Sequence, residues 1–109
     1  MVMIKITIDR PIGSRHHDTV YPVNYGFVPD LIAADGEEQD VYVLSDLPEN
    51  QQPLKEFTGR LVAIIHRRDD VENKWVVTTD RENFSAEEIM SRLNFMEKFF
   101  DSWIEMLSE

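Results

Sequence analysis

The stretch from Tyr21 to Leu44, YPVNYGFVPDLIAADGEEQDVYVL, constrains this chain more than any other. An aromatic segment cornered by Pro and Gly runs into an acidic turn, DGEEQD, that ends as a strand begins. Asp35, Glu37 and Asp40 fall in that turn with Gly36 beside the first, so the backbone can bend and aim their oxygens at one hard cation. The turn is therefore a candidate metal site, and an ordinary solvated loop is the other reading of the same residues. A chain of 109 residues fits one domain, 1–109. Such a chain should bury roughly 65% of its unfolded surface, enough for one core.

Net charge decides which partners to consider. At −10 the chain is a poor match for nucleic acid. An anionic substrate is still admissible, because a bound divalent cation reverses the local sign. With no cysteine, disulfides and thiolate chemistry are excluded. The N-terminal MVMIKITIDR carries charges inside its apolar run and is too short for a signal peptide or a spanning helix. The expectation is a soluble, cytoplasmic protein without a membrane partner.

Along the chain, Val2, Ile4, Ile6 and Ile8 alternate with polar or exposed-type residues, the pattern of a strand with one buried face. Residues 10–18 hold Pro11, Gly13 and Ser14 and read as a loop. His16 and His17 within it are adjacent, so in an extended segment they point to opposite sides, which favours a solvated or phosphate-facing loop over a zinc site. Residues 19–28 regain β character around Pro22 and Gly26, as a short, bent or edge strand. Tyr21 and Tyr25 share one face there, so both hydroxyls can reach one site, although the spacing alone favours packing in a core with the hydroxyls at its rim.

After the acidic turn, Val41 to Leu44 predicts a short strand, and residues 45–56 a polar loop. Leu61 to Ile65 is apolar on both faces, the mark of a central strand, and KWVVTT at 74–79 returns as its partner. The turn between them presents Asp69, Asp70 and Glu72, a second acidic cluster. Ser85 and Glu88 make a capping box, with Phe84 and Ile89 at staple positions. From Ile89 to Leu107 apolar residues recur at helical spacing, predicting a helix of about 22 residues, roughly 33 Å long. Its stripe is expected to cover a sheet face or a barrel mouth, and any surplus is available for a homo-oligomer contact. Phosphate loops of the Gly-rich kind, G-x-S-x-G elbows and HExxH are absent. The fold expected is mainly β, a small OB-like barrel of five to six strands with a long C-terminal α-helix.

YPVNYGFVP followed by DGEEQDVYVLS closely resembles the centre of the soluble, magnesium-dependent (family I) inorganic pyrophosphatases, in which a YPxNYG strand precedes a D-G-D-P-x-D-V loop. RLVAIIHRRDDVENKWVV is similar to that family's next hairpin, and IKITID to its K-Y-E-hydrophobic-D stretch. The resemblance covers most of the chain up to about Thr79. It implies Mg²⁺ ligation by Asp35, Asp40, Asp69 and Glu72, and catalytic roles for Glu37, which orients the attacking water, and for Asp40. It further implies phosphate binding by Lys5, Tyr25 and Lys74, with Tyr21 beside them and with Arg15 as the best substitute for a family arginine, ahead of Arg10. Two or more metal ions bridging phosphate oxygens, with cations and hydroxyls bearing the leaving-group charge, is the chemistry diphosphate hydrolysis requires.

Departures from the family accompany this likeness. Glu37 replaces Asp, Gln39 replaces an apolar residue, Thr7 replaces Glu, and Phe99-Phe100 stand nearest to a Tyr-Lys pair that holds phosphate. Two readings follow: a magnesium-dependent inorganic diphosphatase, with a hydrolase of another phosphoanhydride as its variant, or a phosphate- and metal-binding module without useful turnover. The retained Asp35, Asp40, Asp69 and Lys74 favour the first, and the replaced Tyr-Lys pair favours the second.

Overall fold

The computed structural model describes residues 2–107. Eight strands and one α-helix follow in the order β1 (Met3–Arg10), β2 (Arg15–His16), β3 (Thr19–Val20), β4 (Asn24–Ile32), β5 (Glu38–Val43), β6 (Glu56–Arg67), β7 (Asn73–Thr78), α1 (Ala86–Glu97) and β8 (Ser102–Met106). The order β1-β4-β5-β7-β6 closes on itself through β1–β6, giving a five-stranded barrel, the architecture expected from the strand pattern. All its pairings are antiparallel except β5–β7. Closure removes the free edges that an open sheet of this size would expose.

Alternation along the strands divides the interior in two. Val41 and Val43 of β5 join Ile6, Ile8, Phe57 and Val77 in one cluster. Their neighbours Tyr42 and Leu44 join Tyr21, Tyr25, Ala63, Ile65 and Val76 in a second, which the helix covers through Ile89 and Leu93. Strands buried on both faces must be apolar on both, which is why 61–65 reads as a central strand. β1 approaches β4 so closely at Gly26 that an added Cβ would lie 1.8 Å from the Thr7 carbonyl oxygen, so only glycine fits there. The register between these strands shifts by one residue between Ile8 and Arg10, a bulge that lets the consecutive Asp9 and Arg10 serve the same cavity.

Two expectations change. The predicted loop at 10–18 contains the two-residue strand β2, paired with β3 across His17 and Asp18, whose φ values of 50° and 64° are those of a tight hairpin turn. The helix begins where predicted, with the Ser85–Glu88 capping box in place, but ends at Glu97 after 12 residues. Residues 102–106 are a strand instead, antiparallel to β6 from Ala63↔Met106 to Arg67↔Ser102. The cause is non-local: β1 pairs only with residues 56–60 of the long β6, and the backbone groups further along need another partner. SWIEM satisfies a period of two as readily as a helical one. Among the described residues no helix is long and apolar enough to cross a membrane.

Candidate active site

Four residues of YPVNYG have distinct tasks: Tyr21, Asn24, Tyr25 and Gly26. Asn24 is buried, and its Oδ1 accepts hydrogen bonds from the N–H groups of Ile12 (3.0 Å) and Leu54 (3.2 Å), while its Nδ2 donates to the carbonyls of Gln52 (3.1 Å) and Asn50 (3.4 Å). One side chain thereby ties two loops to β4, a network whose members are all satisfied. Gly26 lets β1 close over β4, which brings Asp9 and Arg10 beside Tyr21 and Tyr25. The rings of Tyr21, Tyr25, Tyr42 and Phe95 pack edge-on or tilted with centroids 5.1–6.2 Å apart. Both sequence readings of the tyrosines hold together: the rings are core and the hydroxyls reach a cavity.

That cavity, of about 450 Å³, carries Arg10, Arg67, Lys74, Tyr21 and Tyr25. A second cavity of about 330 Å³ is lined by Asp9, Asp35, Glu37, Glu38, Asp40 and Glu72. Asp9, Asp40 and Glu72 belong to both, so a cationic, hydroxyl-bearing space adjoins an acidic one.

Lys74 sits at the junction. Its side chain is only 8% exposed, and its ammonium donates to Tyr25 Oη at 2.9 Å, to Asp40 Oδ2 at 2.6 Å and to Glu72 Oε1. Those three bonds use every donor of the group. Burial by itself would push the Lys74 pKa down, but Tyr25, Asp40 and Glu72 outweigh it and hold the ammonium above its ordinary range. Tyr25 is driven up by burial despite the lysine, so its hydroxyl keeps its proton. Arg10 Nη1 donates to Tyr21 Oη at 2.7 Å. Each tyrosine hydroxyl thus accepts from a cation and has its own proton free for an anion in the cavity.

Arg67 is held from the other side. Its Nε and Nη2 donate to Glu97 at 3.2 and 2.9 Å, its Nη1 to Glu72 at 3.4 Å, and its guanidinium lies 3.5 Å from the Phe100 ring centroid. Glu97 also accepts from Tyr42 Oη and Ser102 Oγ, both at 2.7 Å. Burial pushes the Glu97 carboxyl up, and the hydrogen bonds from Arg67, Ser102 and Tyr42 more than reverse this, leaving it below the usual carboxylate range.

The acidic turn is shaped from within. Gly36 has φ +86°, Asp35 Oδ1 accepts the Glu37 N–H at 3.0 Å, and Glu38 Oε2 accepts the Asp30 N–H at 2.7 Å. Gln39 is buried and donates to the carbonyls of Asp40 (3.1 Å) and Asn73 (3.2 Å), fastening this turn to the β6–β7 turn.

Of the residues expected from the sequence, Asp35, Glu37, Asp40 and Glu72 line the acidic cavity, and Tyr25 and Lys74 the cationic one. The structure brings Lys5, Arg15 and Asp69 to neither. Lys5 precedes the β1 bulge on the outward face, 70% exposed and 3.8 Å from Glu56. Arg15 is exposed in the β2–β3 hairpin, and Arg10, the second choice, takes the cavity position because the bulge turns it inward. Asp69 is exposed in the turn after β6, ahead of Asp70, whose Oδ1 accepts the Glu72 N–H at 3.1 Å. Asp9, Arg67 and Glu97 were not anticipated. Asp9 leaves a trace as the Asp that closes IKITID, Arg67 as an Arg ending an apolar strand, and Glu97 as a Glu on the apolar side of a helix.

Six carboxylates are a hard-oxygen donor set suited to Mg²⁺, Mn²⁺ or Ca²⁺, so the lining fits a divalent cation chemically. Among the described residues no three acidic or imidazole side chains already converge on one point. The cation nearest Asp40 and Glu72 is the lysine's own.

The inorganic pyrophosphatase family model matches residues 4–106. The inorganic pyrophosphatase of Helicobacter pylori is 34% identical over 73 residues, covering 62% of this chain and 41% of that protein. Inorganic pyrophosphatase 1 of Pseudomonas syringae pv. tomato is 42% identical over 50 residues, 46% of this chain and 27% of its own length. The chain thus spans about two fifths or less of these curated relatives. Among solved structures, inorganic pyrophosphatase from Ehrlichia chaffeensis superposes with a TM-score of 0.73 at 19% identity, over 95% of this chain and 85% of that one. One from Coxiella burnetii gives 0.66 at 21%, over 95% and 83%. At such identities these two speak for the fold alone. The family match, however, runs from β1 through the barrel and both acidic turns into β8, and by it this chain belongs to the inorganic pyrophosphatase family.

Proposed function

We propose that this chain hydrolyses inorganic diphosphate to two phosphates where its two cavities meet, with Mg²⁺ in the acidic one. The observation that carries this reading is Lys74, which joins the carboxylates Asp40 and Glu72 to the hydroxyl Tyr25 at the boundary between the two spaces. Asp35, Asp40 and Glu72 would hold the cation, with Asp9 and Glu38 lining the same space. When bound, Mg²⁺ supplies a water of lowered pKa and charge neutralisation at the phosphoryl oxygens. Glu37 accepts a hydrogen bond from the attacking water and fixes its direction. With Asp40 and Glu72 engaged by a cation, the Lys74 ammonium has donors to give to phosphate, and Arg10, Tyr21 and Tyr25 add two hydroxyl protons backed by positive charge. Such pre-aimed donors act where negative charge builds on the leaving phosphate. Asp69 and Lys5 have no place in this arrangement.

A second reading, a cation- and phosphate-binding module without turnover, is favoured by one observation: no three carboxylates among the described residues are preassembled for a metal. Phosphate release from diphosphate with and without Mg²⁺, on the parent and on Asp40→Asn, separates the two. The first reading expects metal-dependent release that falls at least a hundredfold in Asp40→Asn. A parent with no metal-dependent release, yet with saturable Mn²⁺ uptake in equilibrium dialysis, supports the second.

A further inference from the structure

The larger cavity is bigger than a small inorganic anion requires, and part of its wall is apolar. At about 450 Å³ it lies in the range, roughly 300–1,000 Å³, of pockets that enclose drug-sized organic ligands. Contacts set its layout. Lys74 bonds Glu72, Glu72 accepts from Arg67, and Arg67 lies on Phe100, so an apolar wall begins one side chain beyond the diphosphate cradle. Phe99 and Met96 continue that wall. Phe99 is 64% exposed and Phe100 36%, although a hydrated anion gains nothing from either ring.

From this juxtaposition we infer that the cavity takes an organic ester of diphosphate, of the nucleoside diphosphate class, its phosphates at Arg10 and Lys74 and its base against Phe99 and Phe100. The inference rests on reading the cavity as a diphosphate cradle. Phe100 carries a guanidinium on one side, which draws π density toward that side and leaves the remaining surface suited to an electron-rich heterocycle. His17 and Thr19 also line this cavity, and their polar groups match the edges of a base or ribose. An alkyl tail would leave those groups unpaired.

Calorimetric titration of the intact protein in Mg²⁺ tests this with three non-hydrolysable probes: methylenediphosphonate, α,β-methylene-ADP and a monoalkyl ester of methylenediphosphonate. The nucleotide analogue is expected to bind about tenfold more tightly than methylenediphosphonate, and Phe99→Ala to shrink that ratio about fivefold, the scale of one base–aromatic stack. A ratio near one in the parent, a ratio unmoved by Phe99→Ala, or an alkyl ester that matches the nucleotide overturns the inference. Tight methylenediphosphonate with no nucleotide binding overturns it while the diphosphate reading stands. Binding of neither by a folded protein overturns both.

Discussion

Replacing Arg67 by Met tests how the helix and the last strand are held to the site. Arg67 and Glu97 have side chains only 4% and 2% exposed, so the pair is screened little by water. The substitution removes the two hydrogen bonds to Glu97 and the one to Glu72, and leaves the Glu97 carboxylate buried with only Tyr42 and Ser102 as donors. Breaking a buried pair from one side costs about 3–5 kcal/mol. That is a large part of a typical stability of about 5–15 kcal/mol. With a urea slope of about 1–3 kcal/mol/M, the midpoint in circular dichroism should fall by about 2 M. Arg67→Met/Glu97→Gln should recover at least half of the loss, because Gln is neutral and still accepts from Tyr42. The pH dependence gives a second readout. In the parent, the folded Glu97 pKa lies below its unfolded value, so its contribution is present above the unfolded pKa and lost as pH falls through the folded one. In Arg67→Met the folded pKa rises above the unfolded value, and the penalty shrinks as pH falls from 7 toward 5. A loss under about 1 kcal/mol, or a double variant no more stable than the single, would refute the claim that this pair is a coupled, buried charge.

Lys74→Met should reduce diphosphate turnover by at least tenfold and strengthen Mn²⁺ retention in equilibrium dialysis, since Asp40 and Glu72 lose the ammonium they share; weaker retention would show that Lys74 does not compete for them. Gly26→Ala forces β1 away from β4 and should cost about 3 kcal/mol or more in urea unfolding, and a change below about 1 kcal/mol would mean the two backbones are not held at the described separation. Ser85→Ala should lower stability by about 1 kcal/mol with no effect on turnover, because the capping box is remote from both cavities; a turnover defect would link the helix start to the site.

What the sequence alone determined were features of short range. Alternation marked β1 and the central strands, because a strand with a buried face must repeat every two residues. The capping box marked the helix start, because Ser85 and Glu88 side chains accept from each other's backbone N–H groups, which have no partner within the helix. YPVNYG and DGEEQD marked the site, since tight turns and close backbone approaches leave few residue types acceptable. Tertiary structure decided the rest. Asp9 and Arg10 serve one cavity because of a register shift that neither residue encodes. Arg15, in the β2–β3 hairpin, and Lys5, on the outward face of β1, line neither cavity. The tail became β8 because β6 had unpaired backbone groups, a demand set by a strand some 40 positions away. Lys74 between Asp40 and Tyr25, and Arg67 between Glu97 and Phe100, join elements distant in the chain. Local sequence shows which groups are available and where the backbone bends. Which charges are neutralised, and so which hydroxyls and carboxylates are left to act, depends on distances that only closure of the barrel sets.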